Sequence, residues 1–122
     1  MSDIRRFVYF GGEPLGVPVL EELEQAGFVP DLIVCNPDRP VGRKQVLTPP
    51  PVKQWAKTRD IDVLQPVSFA DETVQAALKT IAADLFVVVA YNAILPRWVL
   101  DLPPQGVLNV HPSLLPKLRG AS

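Results

Sequence analysis

The sequence predicts an α/β protein built on an open parallel sheet with flanking helices, folded as one domain. Short β-branched and aromatic runs alternate with segments whose apolar residues recur at helical spacing. Residues 85–90 are continuously apolar, as a strand covered on both faces must be. Glycine and proline gather between these segments, and 48% hydrophobic residues in a chain of 122 residues can build one core.

The first unit is a strand, a glycine turn and a helix. Residues 7–10 are aromatic or β-branched and stop at Gly11 and Gly12. Apolar residues at helical spacing follow, and Gly27 ends the pattern. Residues 31–35 then predict a second strand. The proline-rich residues 36–50 predict an ordered but irregular loop, long enough to suggest a function.

The second half repeats the alternation. Pro51 suits the first turn of a helix that buries Val52, Trp55 and Ala56, and residues 61–64 form a short strand. Ser68 with Asp71 predicts the cap of a third helix. Residues 85–90 and 107–110 supply the last strands, and a parallel sheet normally continues from there, so we expect a sheet truncated before its last strands.

Composition excludes several classes of partner. The formal net charge of -1 gives no global field for nucleic acid, yet residues 39–59 carry six basic residues and no acidic one. The single cysteine cannot form an intramolecular disulfide, and no leader or apolar span is visible. We expect a soluble, cytoplasmic protein with a local basic patch. One histidine and no Cys-x-x-Cys pattern predict no metal site.

Ligands of open parallel sheets bind beyond the carboxyl ends of the strands. That rule selects four segments, which we expect to converge on one cleft: the Gly11–Gly12 turn, the loop from Asn36, the turn at residues 91–92 and the loop with His111. The glycine turn does not match the G-x-G-x-x-G spacing of dinucleotide sites, so a tight strand-to-helix turn is the favoured interpretation.

Asn109 and His111 are the best candidates for chemistry. They are two residues apart just past a predicted buried strand, so both side chains would point to the same side of an extended backbone. An amide and an imidazole suit acyl or formyl transfer between nitrogens, which needs an oxyanion stabilised and a proton moved. A solitary histidine is more often structural, but this placement favours catalysis. Ser113 lacks the sequence context of a nucleophilic serine.

Residues 109–116 (NVHPSLLP), with Arg119 and Gly120 close behind, resemble the signature of the folate-dependent formyltransferases. The resemblance implies a Rossmann-like sheet, 10-formyltetrahydrofolate as formyl donor, and Asn109 and His111 as catalytic residues. It also implies a folate site formed by Ser113, Leu114, Leu115, Pro116, Val88, Val89, Ala90, Tyr91 and Leu95. A purely structural role for Val88 and Val89 in the core stays open.

Residues 36–53 resemble the loop carried by the family members that formylate the methionyl group of initiator tRNA. The resemblance therefore names methionyl initiator tRNA as acceptor, with tRNA-binding residues Arg39, Arg43, Lys44 and Lys53. Phosphate contacts from such cations would provide affinity and orientation. Alternatives are a solvated charged face, an amino-sugar nucleotide as acceptor, and a folate-binding module without turnover.

The family's third catalytic group is an aspartate some distance beyond the histidine motif. By the resemblance, residues 1–122 are the N-terminal part of the catalytic domain, and the remainder of that domain and a C-terminal tRNA-binding domain are absent. We therefore expect the chain in isolation to be catalytically impaired or inactive, and to bind tRNA in a weak and salt-sensitive manner.

Overall fold

The computed structural model describes residues 5–12, 15–91 and 93–110. Four strands and three helices alternate through most of this range, interrupted by a pair of short strands and followed by a fourth helix and a last strand. The elements are β1 (Phe7–Gly11), α1 (Gly16–Gln25), β2 (Leu32–Val34), β3 (Arg39–Val41), β4 (Val46–Thr48), α2 (Pro51–Lys57), β5 (Asp62–Leu64), α3 (Glu72–Thr80), β6 (Leu85–Val89), α4 (Arg97–Leu100) and β7 (Val107–Val110).

Five strands form one parallel sheet in the order β5-β2-β1-β6-β7. The central strand β1 is entirely buried, and it pairs with β2 on one side and β6 on the other. Parallel neighbours cannot be joined by a tight turn, so each connection crosses over a face of the sheet. The predicted Rossmann-like α/β class, with an open parallel sheet and flanking helices, is confirmed.

The sheet separates two hydrophobic clusters because successive side chains of a strand point to opposite faces. Tyr9 and Val87 lie in the first cluster with Leu20 of α1 and Trp55 of α2. The second cluster joins alternate residues of the same strands to α3 and α4, through Val8, Phe10, Phe86, Leu78 and Val99. We call these sides the α1/α2 face and the α3/α4 face.

The predicted irregular loop is wrong in part, because its centre is an antiparallel hairpin. Strands β3 and β4 pair Arg39 with Thr48 and Val41 with Val46. The turn between them uses positive φ angles at Gly42 and Gln45, and the backbone N–H of Gln45 donates to the Gly42 carbonyl at 3.2 Å. A turn of this kind closes a hairpin between β-branched residues. Residues 39–48 are called the hairpin below.

Helix α3 begins at a different cap from the predicted one. The Asp71 carboxylate accepts from the Thr73 amide at 2.8 Å, so Asp71 is the N-cap, and the Ser68 hydroxyl instead accepts from the Ala70 amide in the preceding turn. The Thr73 hydroxyl also donates to the Asp71 carboxylate, and the two hydrogen bonds from Thr73, first the one from its hydroxyl, hold the pKa of Asp71 below its usual value. The short helix α4, which follows Pro96, was not predicted.

Strand β7 was predicted to be buried, and this is wrong. It lies at the end of the sheet beside β6, where Leu108 is 52% exposed and Asn109 is exposed. Its two remaining residues are half-buried, because they touch β6 without a further neighbour beyond them in the described sheet. Of the helices in the described part of the chain, none is long and apolar enough to cross a membrane.

Candidate functional site

The carboxyl ends of β1, β2 and β6 bring three of the four predicted segments together. The Gly12 amide donates to the Val89 carbonyl at 3.1 Å. A Cβ atom on Gly12 would lie 2.2 Å from the Ala90 carbonyl oxygen and 4.0 Å from the Asn36 amide nitrogen. Glycine at position 12 allows this close approach, since any side chain would collide with the backbone that leaves β6 unless that backbone shifted.

Asn109 lies at the same edge of the sheet, on the α3/α4 face. It pairs in register with Val88, whose side chain packs into the cluster on that face. Val107, two residues before Asn109, packs into the same cluster. Asn109 is exposed, so its side-chain amide is accessible from the solvent beside the end of β6 and can donate or accept hydrogen bonds there.

The predicted folate residues that the structure describes divide between the two faces. Val88, Tyr91 and Leu95 pack on the α3/α4 face, the face that carries Asn109. Val89 is fully buried on the opposite face, and Ala90 packs against the same cluster. Side chains at 88, 91 and 95 can therefore contribute to one pocket with Asn109, whereas the Val89 side chain belongs to the core.

Tyr91 is the one ionisable side chain among the described folate residues. Its ring meets Phe10 edge-on at 5.7 Å between centroids and Phe69 at 6.4 Å. Burial raises the pKa of Tyr91 to about 12, so its hydroxyl stays protonated through the physiological range. A neutral phenol on an apolar wall can donate or accept a hydrogen bond without bringing a charge.

Several predicted site residues lie outside the described residues. These are the catalytic candidate His111 and the folate candidates Ser113, Leu114, Leu115 and Pro116. Their roles, and the predicted common side of Asn109 and His111, stay predictions.

The predicted tRNA-binding residues occupy two settings. Arg39 lies on β3, and Arg43 and Lys44 lie in the hairpin turn, and all three are exposed. Lys53 belongs to α2, where its side chain is only 21% exposed and its Nζ lies 3.4 Å from Asp38 Oδ1. Three cations are thus displayed to solvent on the hairpin, while Lys53 is occupied at its base.

Arg59, at the end of the basic stretch, has a structural role. Its guanidinium donates to both carboxylate oxygens of Glu24, at 2.7 and 2.9 Å, and stacks 3.9 Å from the centre of the Trp55 ring. The hydrogen bond to Arg59 is the main cause that holds the pKa of Glu24 below its usual value. This bidentate pair joins α1 to the end of α2.

A cavity of about 230 Å³ lies between the hairpin and the end of β1. The glycine turn forms one wall, and the hairpin and the proline-rich segment before α2 form the other. Its lining includes Gly11, Gly12, Asn36, Arg39, Thr48 and Pro50. Among the residues that the structure describes, no group of three or more histidine, cysteine or acidic side chains could hold a metal ion.

Residues 5–122 match the formyl transferase family. The chain belongs to this family. It is 46% identical over 117 residues to methionyl-tRNA formyltransferase of Anaeromyxobacter dehalogenans, covering 96% of this chain and 38% of the relative. It is 48% identical over 122 residues to the enzyme of that name from Stutzerimonas stutzeri, covering 100% of this chain and 39% of the relative. This formyl transferase family member thus spans about two fifths of the length of these relatives, and the resemblance predicted from residues 109–116 is confirmed.

Sequence reasoning missed the contacts that hold the base of the hairpin. Gln65 Nε2 donates to Asp38 Oδ1 at 2.7 Å and to the Asn36 carbonyl at 3.0 Å. Asp38 and Gln65 are 27 residues apart, and neither is part of a periodic pattern. Only the parallel pairing of β2 with β5 brings the segments after these two strands together, and no local signal could have revealed it.

Proposed function

We propose that this chain supplies the N-terminal part of the catalytic domain of an enzyme that transfers a formyl group from 10-formyltetrahydrofolate to the amino group of methionyl initiator tRNA. The proposal rests on one placement. Asn109 is exposed at the carboxyl edge of the sheet, next to Val88 in register and on the same face as Tyr91 and Leu95. Relatives that cover 96–100% of the chain carry the name methionyl-tRNA formyltransferase, which supports the same reaction.

In the proposed reaction the methionyl amine attacks the formyl carbon, and the negative charge moves to the formyl oxygen. The Asn109 amide donates a hydrogen bond to that oxygen. Collapse of the tetrahedral species breaks the bond between the formyl carbon and the folate nitrogen. The attacking nitrogen loses a proton and the leaving nitrogen gains one, and His111 is the group proposed to carry it.

The donor would bind on the α3/α4 face. Val88 and Leu95 supply apolar surface, and Tyr91 supplies a neutral hydroxyl beside it. Val89 and Ala90 would contribute through their backbone, because both side chains pack on the other face. Ser113, Leu114, Leu115 and Pro116 are included in the donor site on the family resemblance alone.

The acceptor would approach over the hairpin. Arg39, Arg43 and Lys44 are exposed there, and cations on an exposed element can neutralise RNA phosphates. Lys53 would contribute less, since it already lies beside Asp38. An acceptor stem offers several phosphates to such a surface. Because methionyl initiator tRNA is used in the cytoplasm, the proposal includes a cytoplasmic location.

A transfer assay tests the proposal directly. The 122-residue chain and a version extended to the length of the relatives would be incubated with 10-formyltetrahydrofolate labelled at the formyl carbon. Methionyl initiator tRNA, methionyl elongator tRNA and an amino-sugar nucleotide would be offered in parallel. We expect label on initiator tRNA with the extended version. Transfer to the sugar nucleotide would replace the proposed acceptor, and transfer to none would remove the enzyme assignment.

A further inference from the structure

The hairpin has little apolar contact to fix its orientation. Val41, Val46 and Leu47 are between 51% and 67% exposed, and within the described residues no side chain of β3 or β4 belongs to either hydrophobic cluster. An element that buries so little apolar surface gains little free energy from any single orientation. Polar contacts at its base must therefore decide how it sits on the sheet.

Asp38 makes those contacts at the first position before β3. Its Oδ1 accepts from Gln65 at 2.7 Å and lies 3.4 Å from Lys53 Nζ. Gln65 follows β5, whereas Lys53 lies in α2 shortly after β4, so one carboxylate oxygen joins both ends of the hairpin to the edge of the sheet. The second hydrogen bond of Gln65, to the Asn36 carbonyl at 3.0 Å, fixes the segment that enters the hairpin.

The charge of Asp38 is held in place by the same partners. The Gln65 hydrogen bond, followed by the contact with Lys53 and the field of Lys57, keeps the pKa of Asp38 below its usual value. The carboxylate is also the acidic group closest in sequence to the exposed cations of the hairpin. By electrostatics alone this negative charge would weaken RNA binding. A role in positioning the hairpin predicts the opposite effect on RNA affinity when the side chain is removed, so the two can be distinguished.

We infer that Asp38 is a positioning residue: through Gln65 and Lys53 it fixes the hairpin on the sheet, so that Arg39, Arg43 and Lys44 are presented in one orientation. The consequence for an RNA acceptor rests on the proposed function, whereas the fixing of the hairpin does not. Asp38 acts through these neighbours and is not assigned any contact with substrate.

Limited digestion with trypsin tests the positioning without RNA. Arg43 and Lys44 offer cleavage sites in the turn, and cleavage there tracks local opening. We expect Asp38→Ala and Gln65→Ala to be cut in the turn about fivefold faster than the wild type, with an unchanged unfolding midpoint. Asp38→Asn keeps an oxygen for Gln65 and should remain within about twofold. Asp101→Ala, which removes an exposed ion pair to Arg97, is the matched control.

Binding to methionyl initiator tRNA, measured by fluorescence anisotropy on the same proteins, tests the consequence. Loss of a negative charge by itself would strengthen RNA binding in both Asp38 variants. A positioning role predicts that Asp38→Ala and Gln65→Ala each weaken tRNA binding about fivefold, although Gln65→Ala leaves the net charge unchanged. Asp38→Asn should not weaken tRNA binding.

The outcomes separate the two proposals. Equal cleavage of wild type and Asp38→Ala would overturn the positioning role, whatever the RNA result. Faster cleavage with unchanged or tighter tRNA binding would overturn the link between hairpin orientation and RNA. A wild-type chain that binds no tRNA would count against the proposed acceptor, and the cleavage rates would still decide the role of Asp38.

Discussion

The end of β6 and the hairpin lie at the same edge of the sheet but are held there by different forces. At the end of β6, Tyr91 packs against Phe10 and Phe69, Val88 packs against the hydrophobic cluster on the same face, and the backbone after β6 lies close to Gly12. The hairpin is exposed and held at its base by hydrogen bonds to one carboxylate. Burial suits the proposed donor site, which must exclude water around a small molecule, while exposure suits the proposed surface for a large, charged acceptor.

Truncating a buried aromatic ring next to β1 should cost far more stability than truncating an exposed side chain of the hairpin, and this is the largest expected effect. Phe86 is 1% exposed, and its ring centroid lies 5.0 Å from that of Phe10, whereas Leu47 of the hairpin is 67% exposed. We expect Phe86→Ala to lower the free energy of unfolding by about 4 kcal/mol and Leu47→Ala by under about 0.5 kcal/mol. Urea denaturation followed by circular dichroism measures both. Similar losses would mean that the hairpin packs far more tightly than its exposure indicates.

Asn109→Ala should separate chemistry from folding at the donor end. Because the side chain is exposed, the unfolding midpoint should barely change. The proposed oxyanion contact predicts a fall in the formyl-transfer rate of about 10²–10³-fold. Single-turnover rates on the extended protein would measure it, with Gln105→Ala, an exposed residue before β7, as control. A rate within a fewfold of wild type would exclude the contact.

Gly12→Ala should damage the junction between β1 and β6. The added Cβ would lie 2.2 Å from the Ala90 carbonyl oxygen, so backbone must shift, at a cost of about 2–3 kcal/mol in unfolding free energy. Gly27→Ala is the matched control, since Gly27 has open space around it but a φ of 92°. Backbone strain alone predicts about 1 kcal/mol there. Equal losses at both positions would show that the close approach does not matter.

Arg43→Ala combined with Lys44→Ala should affect RNA and little else. Both residues are exposed in the hairpin turn, and the described residues give neither an ion pair, so the fold should be unchanged. We expect tRNA affinity to fall about tenfold and the slope of log affinity against log salt to become shallower by roughly 1 to 2. Donor binding should not change. Loss of donor binding would indicate that the hairpin contributes to the folate site.

The parallel sheet could be predicted because its central strands are apolar runs. Such a run is visible in the sequence even when the strand that pairs with it is not known. Within residues 85–90 the sequence did not reveal which side chains face which helices. A strand that is apolar on both faces shows no alternation of polar and apolar residues. Val89 was therefore grouped with Val88, although they lie on opposite faces. The hairpin was missed because Val41 and Val46 pair across a turn, while the prolines on either side of it, such as Pro40 and Pro49, suggested irregular backbone.

The candidate site was predictable to the extent that its residues follow strands. Tyr91 follows the apolar run of β6, and Asn109 lies near the carboxyl end of β7, so the rule for parallel sheets places them at one edge. Asp38 and Gln65 follow strands as well, but side-chain hydrogen bonds across the sheet depend on register and distance. The helix cap shows the same limit on a local scale, because Ser68 and Asp71 both suit the role and only geometry selects Asp71.

The contact between Gly12 and the peptide after Ala90 makes two distant positions dependent on each other. Ala90 has a φ of 53°, a conformation that glycine or asparagine adopts more easily, and its carbonyl occupies the space of a side chain at position 12. A side chain can enter position 12 only if that peptide rotates away, which a different residue at position 90 would ease. In a library randomised at both positions, tolerated sequences should therefore appear as pairs, and the effect of either change should depend on the other.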